Sequence, residues 1–308
     1  MRGHMLRNSQ VLFGLALAAL LAPACAHADD DVSAPLEQRL AERLKEPNLG
    51  LKVENKSKAG EGRAKPAAKA KVEPKVPALP PPSAWAYAGD ASPQHWAELT
   101  PDNRLCGIGT RQSPIDIRET IKVDLEKIQF DYRPGSFSVL DNGHTIQVTT
   151  APGNALTVMG RRFELSEFHF HRPSEERVNG RSYDMVMHLV HKDADGNQAI
   201  VAVLIERGPD NKPQAAVQTV WNNLPLERNE PVSASVPLDP SQLLPQDRAY
   251  FTFMGSMTTP PCSENVLWMV MRNPVQLTAN QIGIFTRLYP MNARPLQSNS
   301  GRLIKESN

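Results

Sequence analysis

The sequence predicts a mainly β domain with short helices at its margins, an α+β arrangement, preceded by an export signal and a polar linker. Three observations carry that reading. Short β-branched or alternating runs recur between turn residues from Trp85 onward, helical periodicity is confined to brief segments, and the first 82 residues have a different texture from the rest.

At the start, Arg2 and Arg7 precede an apolar run from Val11 to Ala22, and small residues then end in Ala26-His27-Ala28. That order is the pattern of a cleaved secretory signal covering residues 1–28, with the periplasm or the exterior as the expected destination. The run falls short of the ~20 apolar residues that a spanning helix needs, so no stable membrane span is expected. Lipid attachment at Cys25 is the alternative, although Ala22-Pro23-Ala24 is a poor match to the leucine-led motif of such processing.

Residues 29–82 read as a linker rich in charge, alanine, lysine and proline, with a tract around Lys65 to Lys71 and Pro80-Pro81-Pro82 at its end. Within it Leu36, Leu40 and Leu44 form a helical stripe near 35–46, either a marginal solvated helix or a surface for a partner. Residues 83–308 remain for the folded domain. With 40% apolar residues in 308, the chain can bury one large core or two modest ones. Thirty-four basic against 33 acidic residues leave a net charge of +1, so neither nucleic acid nor an anionic membrane is indicated as a partner.

The strand-like runs, in order, are FSVL, TIQVTT, ALTVMG, FELSEFHFH, YDMVMHLVH, AIVAVLIE and VLWMVM. Helical signals come from AAVQTVWNNL and from TANQIGIFTRLY, the second opened by Thr278 as a cap. Internal repeats, heptads, a glycine-rich phosphate loop and a Gly-x-Ser-x-Gly elbow are missing from the sequence. Once the signal is removed, Cys106 and Cys262 are the two remaining cysteines. In an oxidising compartment a bridge between them would close a long loop, worth roughly 4 to 5 kcal/mol in the chain-entropy model; two unpaired buried thiols are the alternative.

The histidines are unevenly spread. Beyond residue 28 they are His95, His144, His169, His171, His188 and His191, and the last four crowd into two neighbouring strand-like runs. Alternation along a strand puts His169 and His171 on one face, with Phe168 and Phe170 on the other. His188 and His191 are an odd number of residues apart, so only one can share a face with that pair, and the apolar alternation favours His188. Three neutral imidazoles leave a tetrahedral zinc one open position, the arrangement of a catalytic site. Composition does not separate zinc from copper or nickel.

From Trp85 to Leu303 the sequence resembles the α-carbonic anhydrase family, through QSPIDI at Gln112 to Ile117, FHFHRPSE at Phe168 to Glu175, HLVH at His188 to His191, SMTTPPCSE at Ser256 to Glu264 and NARPLQ at Asn292 to Gln297. The resemblance implies a single twisted, mostly antiparallel central sheet with Zn2+ at the bottom of a conical cleft, held by His169, His171 and His188. It implies reversible hydration of carbon dioxide to bicarbonate and a proton by zinc-bound hydroxide. Thr258 would orient that hydroxide and pass its own proton toward Glu175. Val190, Ile200, Met257, Thr259 and Trp268 match the substrate pocket, where Met257 replaces a usual leucine of similar volume. His144 matches the proton shuttle, with Asn142 and Gln147 ordering water on the path. Asn292 falls among the residues that support the ligands.

Two supporting positions depart from the family pattern. A glutamine usually stands two residues before the first ligand and a glutamate two before the third; here Glu167 and Val186 stand there. Valine cannot accept the imidazole proton of His188, so water, a carbonyl or another side chain must do so, or the metal is held more weakly. A zinc-free binding domain on the same fold is opposed by the presence of all three histidines. Ester hydrolysis as the main activity is opposed by the lack of a recognisable acyl pocket. The sequence leaves a homodimer open.

Overall fold

The computed structural model describes residues 85–209 and 211–308. The expected signal, linker, leucine stripe and Cys25 lie outside the described residues. Two short helices open the described chain, α1 (Trp96–Leu99) and α2 (Leu105–Ile108). Three short strands follow, β1 (Asp116–Ile117), β2 (Ile121–Val123) and β3 (Gln129–Asp131). Next come β4 (Phe137–Asp141), β5 (Ile146–Thr150), β6 (Ala155–Val158) and the long β7 (Arg161–His171). The two-residue β8 (Arg177–Val178) precedes β9 (Met185–Lys192) and β10 (Gln198–Arg207). Helix α3 (Ala215–Asn222) leads to β11 (Val232–Ser233), β12 (Tyr250–Ser256), β13 (Glu264–Met271) and β14 (Val275–Leu277). Helix α4 (Ala279–Leu288) and β15 (Lys305–Ser307) end the chain.

One large twisted sheet dominates, running β11-β4-β5-β7-β9-β10-β13-β12-β15-β2, with β3, β6 and β14 attached beside that path. Most ladders are antiparallel, but β10 pairs parallel with both β13 and β14, and β15 with β2. The centre of the sheet is therefore mixed. β1 and β8 form a separate parallel pair.

Strand β9 is buried along all but its last residue and β10 along most of its length, as central strands covered on both faces are. On one face Val186, Val190, Ile200, Leu204, Phe253 and Trp268 join a single apolar cluster. On the other face Phe170 meets Trp221 of α3 at 4.9 Å and Phe285 of α4 at 5.9 Å between ring centroids. Both expected helices are present. Thr278 and Gln281 close a reciprocal capping box at the start of α4, satisfying two donors that the first turn leaves open.

Strand β12 lies outside the runs singled out from the sequence, as do the short strands β1, β2, β3, β8, β11, β14 and β15. Phe251 and Phe253 point inward while Met254 is exposed, so its alternation is real but brief. Cys106 on α2 is disulfide-bonded to Cys262, 156 residues away, with 5.1 Å between Cα atoms, which removes the alternative of free thiols. The bridge ties the start of the domain to the loop between β12 and β13.

Candidate metal centre

Strands β7 and β9 pair directly, with His169 opposite His188 and His171 opposite Val186. Opposed residues of an antiparallel pair share a face, so the three imidazoles converge on the side of Val186 and Val190. Ring centroids are 4.9 Å apart for His169 and His171, 5.5 Å for His169 and His188, and 4.7 Å for His171 and His188. One ring nitrogen from each lies within 4.8 Å of the others, close enough for the group to hold a metal ion. The register shifts between Leu165 and Glu167, so His191 opposes Leu165 and takes no part in the cluster. Its Nε2 is 2.6 Å from the Tyr132 hydroxyl, and burial lowers its pKa to about 4.

Each histidine has its second nitrogen engaged. His169 Nδ1 lies 3.0 Å from both carboxylate oxygens of Glu167. His171 Nδ1 donates to the backbone carbonyl of Asn292 at 2.8 Å. His188 Nε2 is 3.2 Å from Glu176 Oε2. The nitrogens left over face one another, and the fully buried His171 Nε2 has no hydrogen-bond partner. Burial holds the pKa values of His171 and His188 well below the ordinary histidine range, helped by the neighbouring imidazoles. At His169 burial acts in the same direction, but Glu167, Glu175 and Glu176 outweigh it and the net shift is upward.

Glu175 and Glu176 are both buried, and burial pushes each carboxyl up to about 8. For Glu175 the neighbouring carboxyl adds to the rise, while the Thr258 hydroxyl and the Arg294 amide oppose it. Glu175 Oε1 accepts from the Arg294 backbone N–H at 2.7 Å, and Oε2 lies 3.6 Å from His171 Nε2 and 3.9 Å from His188 Nδ1. Beneath it the buried Arg294 guanidinium donates to Gln112 Oε1, to the Ser113 carbonyl and to the Cys106 carbonyl. This wiring connects the site to α2, the helix that carries one end of the disulfide.

A cleft of about 140 Å³ opens above His169 and His171, lined by Trp85, Asn142, His144, Glu167, Met257 and Thr259 among others. A larger groove beside Phe253 and Arg302 lies elsewhere, and it is chemistry rather than size that distinguishes the smaller one. His144 stacks flat on Trp85, with centroids 3.7 Å apart and planes 9° apart. Burial and the nearby Arg228 lower its pKa. Asn142 Oδ1 accepts from the backbone N–H groups of His144 and Thr145, and its amide donates to Gln147 Oε1 at 3.1 Å. Asn292 Nδ2 donates to the carbonyls of His144 and Phe170, tying this turn to the ligand strand. Val190, Ile200 and Trp268 are successive neighbours across β9, β10 and β13, with Met257 packed against them. The Trp268 ring stands edge-on to His188 at 5.0 Å.

Two elements of the site were not among the residues singled out from the sequence, Glu176 and Arg294. Glu176 had a signal, a second carboxylate directly after Glu175 behind the histidine strand; Arg294 lay unread inside NARPLQ. Val186 is fully buried in the apolar cluster and offers His188 nothing polar.

A mainly β fold with three convergent imidazoles, a buried acid pair and an adjoining apolar wall defines a class of enzyme built around a metal-binding cleft. A family model for eukaryotic-type carbonic anhydrases matches residues 91–308. The carbonic anhydrase of Nostoc sp. is 40% identical over 229 residues, covering 72% of this chain and 86% of its own. A hyperthermostable carbonic anhydrase from an active hydrothermal vent chimney superposes with a TM-score of 0.70 at 40% identity, covering 73% of this chain and 100% of the other. The α-carbonic anhydrase of Thermovibrio ammonificans, solved with the inhibitor sulfanilamide, gives 0.69 at 37% identity, covering 72% and 98%. The chain belongs to the α-carbonic anhydrase family. Its chemistry is accordingly that of a carbonic anhydrase, acting on a small molecule in the hydration of carbon dioxide.

Proposed function

We propose that the protein is a zinc-dependent carbon dioxide hydratase whose metal is held by His169, His171 and His188, with His144 exporting the proton. The observation that carries this reading is the set of ring nitrogens. Every imidazole has one nitrogen committed to the protein, and the three others face a common point where buried His171 Nε2 has no partner. A cation fits that donor set, because three imidazole nitrogens converge within 4.8 Å of one another, the number and type of ligand that a catalytic zinc takes. When bound there, zinc supplies an acidified water as nucleophile at neutral pH, a property for which carbonic anhydrase is itself the standard example.

The residues of this chain do the rest. Thr258, buried beside Glu175, accepts a hydrogen bond from the nucleophile and directs its own proton to the carboxylate, fixing which lone pair faces the substrate. The wall of Val190, Ile200, Trp268 and Met257 holds a neutral, apolar substrate without needing a charged group. Thr259 lines the cleft beside it. His144 passes the released proton to solvent, with Asn142 and Gln147 shaping the intervening path.

We extend the proposal to export, with residues 1–28 removed as a signal and 29–82 serving as a linker; a disulfide is in keeping with an oxidising compartment. A homodimer belongs to the same proposal and is read by the mass of the protein in solution. Stopped-flow hydration of carbon dioxide by the full chain, with and without chelator and beside a zinc assay, tests the central claim. Stoichiometric zinc with activity abolished by the chelator and restored by zinc is expected. Zinc-bound protein without hydration would sink it.

A further inference from the structure

We propose that Glu176 is the positioning residue for His188, fixing its tautomer and its hold on the metal from the loop between β7 and β8 rather than from its own strand. The inference rests on the zinc reading above and deepens it. Histidines that bind a metal hold their orientation by donating the second ring N–H to a fixed acceptor, most often a carboxylate or a carbonyl. For His169 and His171 the acceptors are Glu167 and the Asn292 carbonyl. For His188 the corresponding group is Glu176 Oε2, 3.2 Å from Nε2.

Nothing on β9 could serve instead. Val186 shares a face with His188 and lies two residues before it, but it is apolar and packs wholly into the core. The carboxylate therefore has to come from outside the ladder, and local backbone bonds bring it in. Ser174 Oγ accepts from the Tyr183 N–H at 2.8 Å and donates to the Glu176 carbonyl at 2.9 Å. Immediately after Glu176, Arg177 N–H donates to the Ile115 carbonyl and β8 pairs with β1. Glu176 is thus fixed on both sides, with its side chain completely buried. A buried carboxyl group costs free energy unless its oxygens find partners, and Glu176 Oε2 finds the imidazole of His188.

The test uses the full chain and reads metal retention rather than turnover. Zinc affinity and the rate of zinc loss to a chelator are measured for native protein, Glu176→Gln, Glu176→Ala and the double variant Glu176→Ala/Val186→Glu, with the visible spectrum of the cobalt(II)-substituted forms as a signature of ligand geometry. Removing the acceptor of a metal-bound histidine weakens metal binding by about 10- to 100-fold. The expected result is a loss in that range for Glu176→Ala, a smaller loss for Glu176→Gln, an altered cobalt spectrum for both, and recovery when Val186→Glu returns a carboxylate to the face of β9. The unfolding midpoint of metal-free Glu176→Gln should match the native one, separating a positioning effect from a folding defect. Native affinity and native zinc loss in both single variants would overturn the assignment, as would a loss in Glu176→Ala that Val186→Glu leaves unrepaired. Native protein that takes up no zinc would instead overturn the metal reading itself.

Discussion

At the scale of single residues, the surroundings of His144 set the proton affinity of the residue proposed to carry the proton. The ring is half-buried against Trp85 and near the Arg228 guanidinium, and both effects disfavour its charged form. Its pKa therefore lies below the ordinary histidine value, and removing the positive charge must raise it. In Arg228→Ala the limb of the kcat–pH profile that reports the shuttle is expected to move to higher pH, while zinc content stays native. A limb that stays in place would show that Arg228 has no electrostatic hold on the shuttle. His144→Ala should lower kcat in weak buffer by roughly 10²-fold, the low end of what a positioned proton-transfer group contributes, with recovery on adding imidazole buffer.

The same scale shows what a sequence can and cannot disclose about a site. Strand parity puts His169 and His171 on one face and lets only one of His188 and His191 join them; apolar alternation favours His188, the family motifs imply the trio, and the register of β7 against β9 brings the three together. Glu176 was not legible in this way. Its contact with His188 depends on the path of a loop held by Ser174 and by β1, and no period in the sequence encodes such a path. Arg294 escaped for a related reason: a cation at full burial is unexpected from composition, and only the folded chain gathers the three carbonyl groups that receive it.

At the scale of elements, the central strands could be read because β7, β9 and β10 are long and either alternate or run apolar throughout, whereas the two- and three-residue strands β1, β2, β3, β8, β11, β14 and β15 are too short to show a period. β12, at seven residues, is longer than β4 or β5, and its pattern is broken instead by Gly255 near its end, where Ser113 and Trp268 leave no room for a side chain. The parallel pairing of β10 with β13 and β14 was also beyond reach, since strand order depends on long connections rather than on local pattern. Helix α4 is the element whose start was clearest, and its cap can be tested alone. Thr278→Ala removes the acceptor for Gln281 N–H and is expected to cost about 1 kcal/mol by denaturant unfolding, with hydration unchanged. A change below a few tenths would mean that packing of Phe285 holds the helix without its cap.

At the scale of the whole molecule, the Cys106–Cys262 bridge joins α2 to the loop that carries Thr258. Its loss should do two things. Replacing both cysteines by serine is expected to lower stability by roughly 2 to 4 kcal/mol, seen as a lower denaturant midpoint. It should also reduce kcat at unchanged zinc content, because the loop between β12 and β13 loses its covalent anchor. A stability loss with native kcat would confine the bridge to a structural role.

The groups of the cleft are gathered over very different lengths of chain. His169, His171 and His188 lie on strands close in sequence that pair with each other, whereas Thr258, Asn292 and Arg294 come from the last fifth of the chain. Contacts between distant segments close later than local ones, because more chain must be ordered before they form. The orientation of the imidazoles draws on both ranges: His169 is held by Glu167 of its own strand, whereas His171 Nδ1 donates to the carbonyl of Asn292, 121 residues further on. The strand pair alone is therefore not a finished donor set: the ring of His171 has its anchor in the C-terminal segment, and a chain cut short before Asn292 would keep all three histidines yet leave one of them unsteadied.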